Sequence, residues 1–300
     1  MTIQFHCPKC GSLIAFADKH AGKHAKCVNC GEQFVIPSQS DQQPQTVKPD
    51  DGSDSPLPGF YHAVFVDNWK IFFDKDNLTA IVFVIAAVCF KFFAGGLCCL
   101  GILVYLGAWG YLFGLYLGVI YETAVGGDKF PEIEVGTSIS FLWHIIKPLL
   151  VFTITLVFVE IPFFVTLALT RENGTSFEDM WQFTGLMDFV LILLFVVGLF
   201  IFPIAILKVA MIEDITSLFE LRQFFVPVKK AFWPYLTVVV ILVAACFIDA
   251  NTRQYSPEAK ESVLTIAGKL ALNLAGQVAA IISMRSIGLF YRHYACFFSY

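Results

Sequence analysis

Four cysteines near the start of the chain carry its clearest chemistry. Cys7-Pro8-Lys9-Cys10-Gly11 and Cys27-Val28-Asn29-Cys30-Gly31 are two copies of C-x-x-C-G, sixteen residues apart. In each copy two thiolates can turn inward from a tight knuckle, the glycine permitting the turn. Two facing knuckles complete a tetrahedral Cys₄ shell suited to Zn²⁺, and a closed shell of this kind leaves no position for a water. The zinc expected at Cys7, Cys10, Cys27 and Cys30 is therefore structural rather than catalytic. A rubredoxin-like iron centre uses the same paired knuckles, but nothing else in the chain points to electron transfer. His6, His20 and His24 lie nearby in sequence; four sulfurs already fill the shell, so they read as bystanders. Lys9, Lys19, Lys23 and Lys26 offset the thiolate charge and keep the surface solvated, a reading preferred to nucleic-acid binding.

The elements that must position these thiolates are short. Ile3 and Phe5, Ile14 and Phe16, and Phe34 and Ile36 alternate as strands do, with Ala21-Gly22-Lys23 as a turn. Fewer than about 40 residues cannot build a sufficient core unaided. Metal must then supply the missing stability, and structural zinc contributes on the order of 10–16 kcal/mol in small peptides. Residues 1–37 are thus expected to form a small N-terminal β zinc ribbon. The pattern F-x-C-P-x-C-G … A-G-K-x-x-K-C-x-x-C-G … V-I-P, from Ile3 to Pro37, resembles the zinc-ribbon heads of many bacterial proteins. That resemblance implies the metal site, and it implies no particular role.

Residues 38–59, SQSDQQPQTVKPDDGSDSPLPG, contain four prolines and almost nothing to bury, and are expected to be a disordered linker. A flexible chain of that length reaches roughly 25 Å.

The rest of the chain has the composition of a membrane protein. Hydrophobic residues make up 57% and charged residues only 15%, against about 25% charged in soluble domains; the mean hydropathy is +0.70. The lipid bilayer is therefore an expected partner. A net charge of −4 argues against a general nucleic-acid binder. A transmembrane helix needs about 20 mostly apolar residues. Spans are expected at Leu78–Leu97, Gly101–Tyr121, Pro148–Thr170, Leu186–Val209, Trp233–Ala250 and Ile266–Gly288, with an interfacial helix over 60–75 in front. On that helix Tyr61, Val64, Phe65, Trp69 and Phe72 share one face, placed on the bilayer. The fold class expected is an all-α polytopic helix bundle of about six spans behind the ribbon.

Six spans return both termini to one side. With the termini inside, most Lys and Arg residues of the body are cytoplasmic, as the positive-inside rule requires. MTIQFHCPKCGS lacks the basic and apolar regions of a secretory signal, which also places the cysteines in the reducing cytoplasm of a bacterial inner-membrane protein. Cys89, Cys98, Cys99, Cys246 and Cys296 read as small hydrophobes rather than a disulfide framework.

Within the body Glu160, in VFVEIPFF, falls near the middle of the third span. A carboxylate there costs on the order of 2.5–3.5 kcal/mol to insert and is expected to face the bundle interior. Lys269, Asn273 and Gln277 recur every fourth residue and form a polar stripe on the sixth span. Opposed chain directions put Gln277 near the depth of Glu160, so a hydrogen-bonded pair, or a proton or ion step, is the sharp reading; a merely packed glutamate is the plain one. Lys91, Asp188, Asp249 and Lys269 gather near the expected outer edge and Glu122, Lys208 and Arg285 near the inner one, and snorkelling to the headgroups explains most of these. Gly110, Gly114 and Gly118 form a doubled G-x-x-x-G, which lets another helix approach closely; the approaching helix can belong to the same body or to a second copy in a homo-oligomer. No H-E-x-x-H, G-x-S-x-G, Walker loop or G-x-G-x-x-G occurs, which weakens the case for an intramembrane enzyme and ranks it third among the expected functions.

Short pieces of the body, the second span running into YETAVGGDKFPE, the segment FPIAILKVAMIED and the closing SIGLFYRHY, resemble bacterial multi-span Yip-like and similar zinc-ribbon-headed families. The resemblance implies an integral membrane body and carries over no functional residue beyond the four cysteines. The expected function is a membrane-anchored adaptor whose ribbon binds a protein partner. The competing expectation is a small transporter or channel using Glu160 and Gln277.

Overall fold

The computed structural model describes residues 2–6, 13–17, 23–26, 33–35, 55–96, 98–131, 138–170, 186–212, 218, 222–252, 254–256 and 261–298. The chain divides into two units, Met1–Asp50 and Asp51–Tyr300.

In the first unit β1 (Thr2–His6) pairs antiparallel with β2 (Leu13–Ala17), His6 opposite Leu13. β3 (His24–Lys26) pairs in the same way with β4 (Gln33–Val35), Lys26 opposite Gln33. β1 and β2 fall where alternating Ile and Phe predict them and β4 contains Phe34, whereas β3 has no such residues. Cys7, Cys10, Cys27 and Cys30, and the expected linker as far as residue 54, lie outside the described residues.

The second unit begins earlier than the sequence boundary at Phe60. Leu57 donates its amide to the His293 carbonyl at 2.9 Å, so the last residues assigned to the linker are docked. The expected interfacial helix is broken in two: α1 (Phe60–Phe65) is followed by a 3₁₀ helix over Asp67–Phe72. Of its expected bilayer-facing residues Tyr61, Phe65 and Trp69 are exposed, whereas Val64 is buried with Phe60, Asn68 and Ile71. The amide nitrogen of Asn68 donates to the Ile282 carbonyl at 3.1 Å and to Ser286 Oγ at 3.0 Å. A buried amide must be satisfied, and this one pins the segment to the last helix.

Next come α2 (Leu78–Phe93), α3 (Cys98–Ala124), α4 (Ser138–Val159), α5 (Ile161–Thr170), α6 (Leu186–Ile212), α7 (Arg222–Lys230), α8 (Phe232–Ala250) and α9 (Val263–Tyr294). Among the described residues six helices are long and apolar enough to cross a membrane. The third starts ahead of the expected Pro148, because Pro148 is tolerated inside α4. The expected span to Thr170 is divided at Glu160. Pro162 lacks the N–H that an unbroken helix would give to the Phe158 carbonyl, and α5 restarts beside it.

α9 is the centre of the body, packing on α8, α3, α2 and α6. The helices alternate in direction: Asp76 and Asn77, before α2, meet Lys129 and Phe130, after α3, whereas Lys91 and Phe92, late in α2, meet Asp249 and Tyr255, near and after the end of α8. The outer surface keeps Phe90, Ile102, Leu103, Phe189, Val240 and Phe247 exposed. In water such a surface would be an aggregation liability; against acyl chains it is simply solvated.

Candidate functional site

Glu160 is only 2% exposed, as its position among apolar residues requires. It sits at the α4–α5 break, its backbone still bonded to Leu156 and Phe164 at 3.1 and 3.0 Å. Its carboxylate lies against Gly198, where a Cβ would overlap it. Gly198 is near the midpoint of α6, so the carboxylate is held near mid-depth of that helix. Neither carboxylate oxygen has a hydrogen-bond partner among the described residues.

The polar stripe of α9 is satisfied elsewhere. Gln277 donates to the Tyr116 hydroxyl on α3 at 2.8 Å. Asn273 donates to the Lys269 carbonyl at 3.0 Å, and the Lys269 ammonium pairs with Glu261. The expected Glu160–Gln277 bond is therefore absent: the Glu160 carboxylate lies against α6 and the Gln277 amide bonds to α3.

The expected snorkelling of Lys91 and Arg285 also gives way to pairing. Lys91 is buried, 3.3 Å from Asp249 and 4.5 Å from the centre of the Trp109 ring. Arg285 is buried and donates from Nη2 to Asp128 at 2.7 Å. Sequence inspection grouped Lys91 with Asp249 at one edge of the bundle; what it could not supply was the side-chain geometry that makes them a pair. Lys208 is buried too.

Between α3, α4, α6, α8 and α9 lies a cavity of about 280 Å³. Trp109, Phe113, Tyr116, Phe152 and Phe202 wall it, with Asp249 the charged residue of its lining. Phe113 and Phe152 stack at 4.1 Å. Leu199 of α6 also lines it, whereas Glu160 is not among its lining residues. An aromatic pocket with one carboxylate is the kind of space that takes a small apolar or cationic guest.

The glycine stripe of α3 is occupied within the chain. A Cβ at Gly110 would overlap Ile145 of α4, one at Gly114 would stand 3.3 Å from Pro148, and one at Gly118 would stand 2.7 Å from Pro131. Pro148 has no N–H for the His144 carbonyl, and that carbonyl faces Gly114. Ion pairs also mark the end of the bundle that carries α1. Asp67 is 2.7 Å from Lys70 and 3.2 Å from His62. The hydrogen bond from Lys70 holds the Asp67 carboxyl below its usual range, with His62 adding to it.

These features define a multi-pass membrane helix bundle with buried polar pairs at two depths. No family model, curated protein or solved structure matches the chain. The likeness to zinc-ribbon-headed and Yip-like families rests on the quoted motifs alone.

Proposed function

We propose that the protein is a membrane-anchored adaptor of the bacterial inner membrane, in which a Cys₄ zinc ribbon presents a rigid surface to a protein partner. One observation carries this reading. The two C-x-x-C-G motifs occupy, in sequence, the connections of two antiparallel strand pairs, 7–12 between β1 and β2 and 27–32 between β3 and β4. That is the placement two facing knuckles require. Zn²⁺ held by Cys7, Cys10, Cys27 and Cys30 would stabilise the fold of the head and supply no reaction. The termini are cytoplasmic in this reading, supported by the gathering of Lys70, Lys75, Lys129, Arg285 and Arg292 at the end of the bundle where α9 finishes. The test is in-cell crosslinking followed by pull-down, comparing the intact chain with a Cys7→Ser/Cys10→Ser variant at matched membrane levels. Partners lost with the cysteines support the adaptor; an identical partner set rejects it.

A second reading is favoured by the buried carboxylate of Glu160, which has no hydrogen-bond partner among the described residues. In it the body passes a small cation or proton, with Glu160 as the carrier group and Gln277 holding Tyr116 in the cavity wall. Flux into proteoliposomes that is unchanged in Glu160→Gln would reject that role.

A further inference from the structure

A cleft of about 690 Å³ opens at the end of the bundle where α9 finishes, between the 55–74 segment, the 125–131 loop and α9. Its lining includes Lys70, Asp128, Arg285, Arg292 and His293. Arg285 is 1% exposed, yet only its Nη2 is satisfied, by Asp128. Its Nε and Nη1 are buried and lack any hydrogen-bond partner among the described residues. A buried guanidinium left this incomplete carries the full desolvation cost of its bare N–H groups.

The carboxylates of Asp67, Asp74 and Asp128 share the cleft with these cations, and of the three only Asp128 bonds to Arg285. Lys70 is engaged by Asp67, and Asp74 accepts the Asp76 amide at 3.1 Å. His293 Nδ1 donates to the Leu289 carbonyl at 2.9 Å. Arg292 reaches the same cleft without a carboxylate partner among the described residues; its guanidinium lies beside Gly126, whose φ of +98° lets the loop turn under it. Two arginines thus converge on one space, one of them buried and short of acceptors. Planar guanidinium donors match phosphate oxygens better than any other side chain does.

We propose that this cleft binds a phosphate-bearing anion, a phosphomonoester or phosphodiester group seated on Arg285 and closed by Arg292. The group can arrive on a lipid or free in solution. The rim favours the membrane, since Phe73 lines the cleft and is 83% exposed, where an acyl chain or glycerol backbone would cover it.

The test uses the full-length chain, purified in neutral detergent and stripped of lipid. Thermal unfolding is followed during titration with phosphatidic acid or phosphatidylglycerol in mixed micelles, with phosphatidylcholine as the neutral comparison. Glycerol 3-phosphate and inorganic phosphate are titrated separately. Saturable stabilisation by the anionic lipids alone assigns the site to a lipid headgroup; stabilisation by the soluble phosphates as well assigns it to the phosphate itself. In either case Arg292→Gln is expected to weaken binding by about tenfold or more, the scale of one charge-assisted hydrogen bond, and Lys230→Gln, outside the cleft, to leave it unchanged. Arg285→Gln should abolish binding, and Arg292→Gln keeps the question decidable if that variant does not fold. Absence of saturable stabilisation by every anionic probe, or equal binding by intact protein and Arg292→Gln, overturns the proposal.

Discussion

A carboxylate deep in an apolar bundle persists only if the surrounding packing tolerates its cost, and Glu160 shows where that tolerance comes from. Gly198 leaves room for the carboxylate, and no donor among the described residues compensates it. Glu160→Leu should therefore raise stability, by about 1–3 kcal/mol, read as a higher melting temperature in detergent. A lower value would mean that a donor stabilises the carboxylate. Gln277 behaves in the opposite way, because its bond to Tyr116 is satisfied and buried. Tyr116→Phe should cost about 1–3 kcal/mol by orphaning the amide, and Gln277→Leu added to it should recover part of that loss. Simple additivity of the two changes would refute the pairing. The burial of Glu160 was legible in the sequence, because a carboxylate amid apolar residues must face the bundle interior; Gln277 is buried as well. Their partners were not legible, since partners depend on which helices are neighbours. Lys91 and Arg285 illustrate the same limit: the sequence placed them at the edges of the bundle, and only packing distinguishes a paired buried cation from one reaching the headgroups.

At the scale of elements, long apolar runs made the helices legible, and the departures have local causes. The α4–α5 break follows from Pro162, and the split of the 60–72 segment from the buried amide of Asn68. Amphipathic patterning placed Tyr61, Phe65 and Trp69 on the outward face, where they are exposed, but missed the burial of Val64 and of Asn68. Asn68→Ala should accordingly cost about 1–3 kcal/mol and loosen the segment, seen as faster amide exchange over residues 60–72. Unchanged exchange would contradict the docking. The glycine stripe offers an internal comparison. Gly110→Ala must push α3 from Ile145, whereas a Cβ at Gly107 meets nothing within 4 Å. The first substitution should destabilise by about 1–3 kcal/mol and the second should be neutral or slightly stabilising. Equal effects in thermal melts would show that α4 does not occupy the stripe.

For the whole molecule, the composition already required a bilayer, and six helices long and apolar enough to cross it agree with that requirement. The proposal for the head follows a different logic: the strand pairs β1–β2 and β3–β4 are short, and the C-x-x-C-G motifs between them in sequence have the spacing of metal ligands. Metal-ligand spacing is chemically restrictive enough to propose a site from one chain, whereas a partner-binding surface leaves no comparable pattern in a single sequence. The most direct measurement is the metal content of the full-length protein purified without chelator, set beside Cys7→Ser/Cys10→Ser. The zinc-ribbon account predicts one zinc per chain, released on thiol modification and missing from the variant, while the helical content of the body is unchanged. A folded chain without zinc, or one that holds iron and is red, would contradict it.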